Sequence, residues 1–312
     1  MAVIGTGDLA PTMKTFYVKT FLERAKQEKV YEEGAQHRVH PQNEGKTVNF
    51  TQFAVPAVVT SALTEGTNPA EGTYSSSTVP TTLAEYGQTW KLSKFLSLTS
   101  IDEGNKEKIE IAGQNMGESR DARIRNELAT GATLVRPTGA SSDITTTSAM
   151  KLDAATCRLM EAKLRKAKAI KYKGKYAFKL KAGVESTYDL SSDQIFVDFQ
   201  KNNSDGGQDM LRSNKIGAIY NTEVYTSTQP TVYAGAGASG VDLYANIFHG
   251  DQSFGVLDLE GDQLQLYIIP HTKIDSGNPA GRFGFISWAG AEAVKVLNSS
   301  WVINYKSAGS AV

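Results

Sequence analysis

Gly235, Gly237 and Gly240 stand at the spacing G-x-G-x-x-G, in which residues without side chains let a backbone approach a pyrophosphate at a helix N-terminus. That chemistry needs a core strand before the glycines and a helix after them. Here Gln229 and Pro230 come before, and the alternating, strand-like run 241–248 comes after. The segment therefore reads as a surface loop, and no nucleotide is expected. His37 and His40 form an HxxH pair, which on a helix would turn two imidazoles toward one zinc ion. The pair sits in a loop-like stretch beside Pro41, with no cysteine or third histidine near it, so no metal site is expected. Glu65, Glu71 and Glu85 could be offered as acid and base, but scattered carboxylates on an exposed hairpin do not make an active site. No G-x-S-x-G elbow, P-loop or HExxH is present.

Cys157 is the only cysteine, which rules out an intrachain disulfide and fits a reducing compartment. It shares helical spacing with Met160, Leu164 and Ala167 and reads as a buried core thiol. The charged feature of the chain is residues 151–181, where Arg158, Lys163, Arg165, Lys166, Lys168, Lys171, Lys173, Lys175 and Lys179 face only Asp153 and Glu161. Such a run could touch nucleic acid. No aromatic side chain interleaves before Tyr172, so the preferred reading is a solvated face or cations paired with a neighbour's carboxylates. No catalytic, cofactor-binding or metal-ligating residue is assigned.

The elements that would position these residues follow from composition and periodicity. The 312 residues carry 33 Lys and Arg against 33 Asp and Glu. A neutral surface permits self-association and argues against a protein devoted to gripping phosphates. Residues 1–11 lack the pattern of a secretion signal, and the apolar stretches around 54–63 and 283–297 are broken by Pro56, Glu292 and Lys295, so no membrane span is expected.

A charged segment at 12–31 carries Phe16, Val18, Phe21, Leu22 and Val30 and reads as an amphipathic helix on an extended arm. Residues 46–53 and 80–95 alternate as strands around a Gly-, Pro-, Ser- and Thr-rich stretch at 61–79, which together suggest a long hairpin with an irregular tip. Ser100 and Glu103 form a capping box that opens one long helix over 101–129. Its stripe, Ile109, Ala112, Met116, Ile124 and Leu128, is narrow, and Gly113 and Gly117 permit close packing. From 151 the pattern becomes an α/β lobe, with helices at 153–167 and 192–200 and a strand at 176–180. Further strands are expected at 242–248, 253–259, 263–269, 283–296 and 301–306, and loops at 202–208 and 234–240.

An arm, a long hairpin, a spine helix, an α/β lobe and late strands, in that order, resemble the Hong Kong 97-type fold of tailed-phage major capsid proteins. ALTEGTNPA at 62–70, AEYGQTWKLSKF at 84–95, GRFGFISWAG at 281–290 and AVKVLNSSWVINYKSA at 293–308 are similar to hairpin and closing-strand segments of one branch of that family. The resemblance implies an α+β fold with an N-terminal arm at 1–45 and an extended β-hairpin loop at 46–98. It also implies a peripheral domain with the spine helix from 99–150 and 262–308, and an axial domain at 151–261.

By the same resemblance the chain is a structural head subunit with no enzymatic activity. It would assemble in the bacterial host cytoplasm into hexamers and pentamers of an icosahedral shell, become part of the virion, and enclose double-stranded DNA without reading its sequence. The hairpin would lie over a neighbouring subunit, with Leu63, Tyr74, Val79, Trp90 and Leu92 as the contacts. A portal protein and a separate scaffold or decoration protein would be partners; with the arm beginning almost at Met1, scaffolding would come from a separate protein or be unnecessary, unless the chain is already processed. Some relatives cross-link a loop lysine to a neighbour's asparagine. No lysine lies between Lys46 and Lys91, so no such bond is expected here. The rival classes are another virion or surface-layer protein, and an α/β enzyme using the glycine loop.

Overall fold

The computed structural model describes Phe21 and residues 29–53, 58–69, 71–95, 105–202, 215–274 and 277–310. Most of the expected arm helix at 12–31, the capping box at Ser100 and Glu103, and most of the loop at 202–208 lie outside the described residues. The strands begin with β1 (Gln36–His40), β2 (Thr47–Phe53), β3 (Ser76–Thr82), β4 (Ala84–Ser93) and β5 (Thr133–Val135). They continue with β6 (Phe178–Gly183), β7 (Lys215–Ile219), β8 (Thr222–Ser227), β9 (Val232–Tyr233) and β10 (Leu243–His249). The last four are β11 (Phe254–Leu259), β12 (Gln265–Ile269), β13 (Phe283–Val296) and β14 (Val302–Ala308). The longer helices among the described residues are α1 (Asn105–Gly131), α2 (Ala154–Lys166), α3 (Val184–Ser191) and α4 (Gln194–Asn202).

Helix α1 is the spine. Its 27 residues span roughly 40 Å at about 1.5 Å per residue. Ile109, Ala112, Met116, Ile124 and Leu128 are all buried, as their spacing predicts. The first three join Phe21, Ile286 and Trp288 in one cluster, and the last two join Val30, Tyr31, Phe254 and Val302 in another. Gly113 earns its place by contact: a Cβ there would lie 2.5 Å from the Phe21 carbonyl oxygen.

Two sheets flank the spine. In the first, β13 pairs antiparallel with β4 along 283–292, and with β12 and β11 along 285–289 and 292–296; β1 adds to β11 in parallel. The second runs β5-β14-β10-β6-β8-β7, with β9 on β10. Pairing therefore crosses the expected segment limits: 254–258 joins 292–296, and 302–308 joins 243–249. Around the second sheet, α2 buries Cys157, Met160 and Leu164 against Phe178, Leu180 and Phe248. Asp153 caps this helix by accepting the Thr156 amide proton at 2.8 Å.

Three expectations change. Residues 80–95 are not one strand of a ribbon, because the chain changes partner at Leu83: β3 pairs with β2, whereas β4 pairs with β13. Residues 36–40, read as loop, form a strand whose polar side chains conceal it. The helix expected at 192–200 is preceded by a separate one, α3, and itself starts at Gln194.

Candidate assembly surface

Among the described residues, the hairpin packs on the rest of the subunit at its base. Phe50 is buried with Leu83, Leu257 and Ala293, and Val48 and Val79 pack against that cluster. Gly255 lets the ring descend, since a Cβ there would lie 2.8 Å from Phe50 Cζ. The Arg38 guanidinium stands 5.1 Å from the same ring centroid. Beyond Phe53 and Ser76 the ladder ends. The Thr67 amide and hydroxyl donate to the Thr64 carbonyl at 3.1 and 2.7 Å, closing a local turn. Val58, Val59, Leu63 and Tyr74 are 78, 82, 65 and 83% exposed, which is an unusual concentration of bare apolar surface on one short segment.

Trp90 and Leu92 are placed differently. Both pack on the cluster of Ile109, Ala112, Met116, Ile286 and Trp288, so spine and first sheet together cover them in part within the subunit. Of the five residues put forward for contact between subunits, the structure leaves Leu63 and Tyr74 bare at the tip, seats Val79 at the hairpin base and brings Trp90 and Leu92 together on the spine.

The end of the arm is fastened by charge. Asp121 Oδ1 accepts the amide protons of Val30 and Tyr31 at 2.8 and 2.6 Å. Lys181 Nζ donates to the carbonyls of Tyr31 and Glu33 at 2.9 and 2.6 Å, and Lys179 forms an ion pair with the Glu33 carboxylate. The clamp grips backbone, and so constrains the path of the chain. Burial pushes the Lys181 ammonium down to about 7, against the pull of Asp121 and Glu33. Burial also pushes Asp121 up to about 6, against the Tyr31 and Val30 amides and Lys181. His249 lies alongside, with Nδ1 3.1 Å from the Tyr172 hydroxyl. Burial and Lys181 hold its ring well below the usual imidazole range, so it is neutral.

A second junction joins arm, spine and first sheet. Arg120 meets Glu32, Asp258 and Glu292 at 2.9, 3.2 and 3.4 Å. Arg123 pairs with Glu292 and stacks on Tyr86 at 4.1 Å from the centroid. Burial would raise the Glu32 pKa, but Arg120 and Lys29 outweigh it and hold the carboxyl below its ordinary range. Sequence reading missed both junctions. The signal available was a gap in the spine stripe: Arg120 occupies the place between Met116 and Ile124 that an apolar residue would fill.

No family model matches the sequence, and no curated protein matches it. Solved structures do match in shape. The capsid of Ralstonia phage GP4 aligns with a TM-score of 0.67 over 91% of this chain and 92% of that chain, at 12% identity. The capsid of the cyanophage P-SCSP1u gives 0.64 over 91% and 89%, at 12% identity. The capsid asymmetric unit of cyanophage Pam1 gives 0.65 over 91% and 94%, at 15% identity. This is a phage capsid fold of the Hong Kong 97 type.

Within this capsid fold the remaining candidate residues do not converge. Gly235 and Gly240 adopt φ of 62° and 79° and face open space in the connection between β9 and β10, where Gly237 precedes only a three-residue 3₁₀ turn, Ala238–Gly240, and not the α-helix that the dinucleotide motif requires. His37 is exposed, while His40 is buried with Nε2 2.9 Å from the Gly45 carbonyl oxygen; their strand carries them to opposite fates. Among the described residues no three His, Cys, Asp or Glu side chains are grouped to hold a metal. Glu65 and Glu71 sit at the hairpin tip and Glu85 on β4, all exposed. Cys157 is buried, and burial pushes its thiol well above the ordinary range. No helix among the described residues is long and apolar enough to cross a membrane.

Proposed function

We propose that this chain is the major capsid protein of a tailed bacteriophage, a shell subunit that assembles with copies of itself and catalyses nothing. The observation that carries the reading is likeness of fold to phage capsids over about nine-tenths of both chains. The bare hairpin tip supports it, because Val58, Val59, Leu63 and Tyr74 are exposed among the described residues and a neighbouring copy supplies cover. Residues 46–98 then act as the extended loop, 99–150 with 262–308 as the peripheral domain and 151–261 as the axial domain. Leu63 and Tyr74 are the contacts the loop makes with its neighbour, and Val79, Trp90 and Leu92 hold its base at the angle that reaches there. Axial domains gather into hexamers and pentamers, and the closed icosahedral shell encloses double-stranded DNA in the virion. A portal protein and a scaffold or decoration protein complete the partners.

Sedimentation and electron microscopy of the expressed protein test this. Closed shells or capsomer rings are the expected result. A small stable oligomer that never forms rings would overturn the reading, and flat sheets or tubes would transfer the chain to a surface layer.

A further inference from the structure

We propose that the exposed basic segment from Arg158 to Lys175 is a docking surface for the phosphate backbone of double-stranded DNA, bound without regard to base sequence. Within a neutral chain, residues 151–181 concentrate eleven Lys and Arg against Asp153 and Glu161. The structure sorts these cations. Lys179 and Lys181 are buried in the arm clamp, Arg165 is paired with Glu161 at 2.7 Å, and Lys151 with Asp189 at 3.2 Å. Lys175 stands 5.6 Å from the Tyr176 ring centroid. Arg158, Lys163, Lys166, Lys168, Lys171 and Lys173 remain, all exposed, and none pairs with a carboxylate of the described residues.

The backbone that displays them is fixed. At the end of α2 the amides of Ala167 and Ala169 donate to the carbonyls of Lys163 and Leu164 at 2.9 and 3.0 Å, and Lys168 takes φ of 55°, a region that side chains enter at some cost. The following loop is pinned where the Ile170 carbonyl accepts from the Asp251 amide at 2.9 Å, and where the Tyr172 amide donates to Ala177 at 3.0 Å. Trp301 Nε1 donates to the Ala167 carbonyl at 3.1 Å.

Chemistry selects the partner. Tyr172 is turned inward to His249 and Tyr176 is buried, so no aromatic face is offered for bases to stack on, and cations alone read phosphate charge. Lysine is depleted in protein interfaces, where its strong hydration is lost, and Leu159 and Ile170 are the only large apolar side chains exposed across this surface. Phosphate binding gains instead from release of counterions. The inference does not rest on the capsid reading, since it concerns the subunit alone.

The test uses dissociated subunits and a short labelled DNA duplex, with binding followed by fluorescence anisotropy as salt is raised. With six cations engaged, affinity should fall on the order of 10³-fold between about 50 and 200 mM salt. Changing Lys166, Lys168, Lys171 and Lys173 together to Gln should make the logarithmic salt slope shallower by about 0.9 per cation removed, with an unaltered circular dichroism spectrum. The pair Arg158→Gln and Lys163→Gln, confined to the helix, gives the same readout should the loop variant misfold. No binding by the natural chain at low salt, an unchanged slope in the variants, or a strong preference for one sequence would each overturn the proposal. Variants that bind DNA as before but no longer self-associate would overturn it too, and would make the surface a contact with a second copy.

Discussion

The hairpin tip and the end of the arm are both chain outside helix and strand, yet they are held by opposite means. At the tip, four large apolar side chains stand in solvent and a single local turn is closed by Thr64 and Thr67. At the arm, residues 30–33 place two amides on Asp121 and two carbonyls on Lys181, inside the protein. The difference separates surface whose partner is intramolecular from surface still in want of one. Apolar side chains can wait for a partner at modest cost in water, whereas a buried charge must be compensated within the fold.

The largest effect that would break or sharpen this contrast lies at the clamp. Asp121→Ala leaves Lys181 buried without its counter-charge and two backbone amides without an acceptor, so urea unfolding of the subunit should show a loss of about 3–5 kcal/mol. A loss under about 1 kcal/mol, the worth of a surface pair, would mean that the arm is not fastened at Asp121.

The same pair sets a pH dependence with a definite sign. Folded Lys181 releases its proton near 7 where its ordinary value is 10.5, so between those limits the unfolded chain binds more protons and stability rises with pH. Asp121, raised from 3.8 to about 6, works the other way: its contribution is present in acid and is lost as pH climbs through its folded value. Stability of the natural chain minus that of Lys181→Met, measured from neutral to alkaline pH, should therefore increase. A flat or falling difference would contradict the burial that drives the Lys181 proton off near neutral pH.

A smaller loss is expected at the spine. Gly113→Ala gains up to about 1 kcal/mol in helix propensity, but its methyl would stand 2.5 Å from the Phe21 carbonyl oxygen. Backbone cannot yield as a side chain can, so the net should be a destabilisation of about 1–3 kcal/mol, read from the shift in urea midpoint.

The smallest change belongs to the tip. Leu63→Ser with Tyr74→Ser should move subunit stability by no more than about 0.5 kcal/mol while abolishing closed shells in the electron microscope. With no lysine between Lys46 and Lys91, particles of the natural chain should run as single chains on denaturing gels after heating in detergent. A tip variant that unfolds, or a ladder of covalent multimers, would erase the distinction between the two regions.

Much of the fold was legible before any coordinates. The spine stripe, the helix at 153–167 and the full extent of β13 could all be read because each depends on neighbours within a few residues, through the 3.6 and 2-residue periods of helix and strand. The likeness to capsid proteins rested on short phrases that local structure preserves. What could not be read depends on partners far along the chain. Lys179 and Lys181 belong to a charged run that looks solvated, and their burial follows from an arm some 150 residues away; that arm closes over one face of β6, whose Phe178 and Leu180 pack with α2 on the other. Residues 80–95 alternate without interruption, so the change of partner at Leu83 leaves no mark in the pattern; it comes from β13, which offers β4 a longer ladder than β2 can. Periodicity fixes which side of an element is apolar. Which element meets that side, and whether a charge between them is sealed from water, is settled by packing over distances that periodicity does not span.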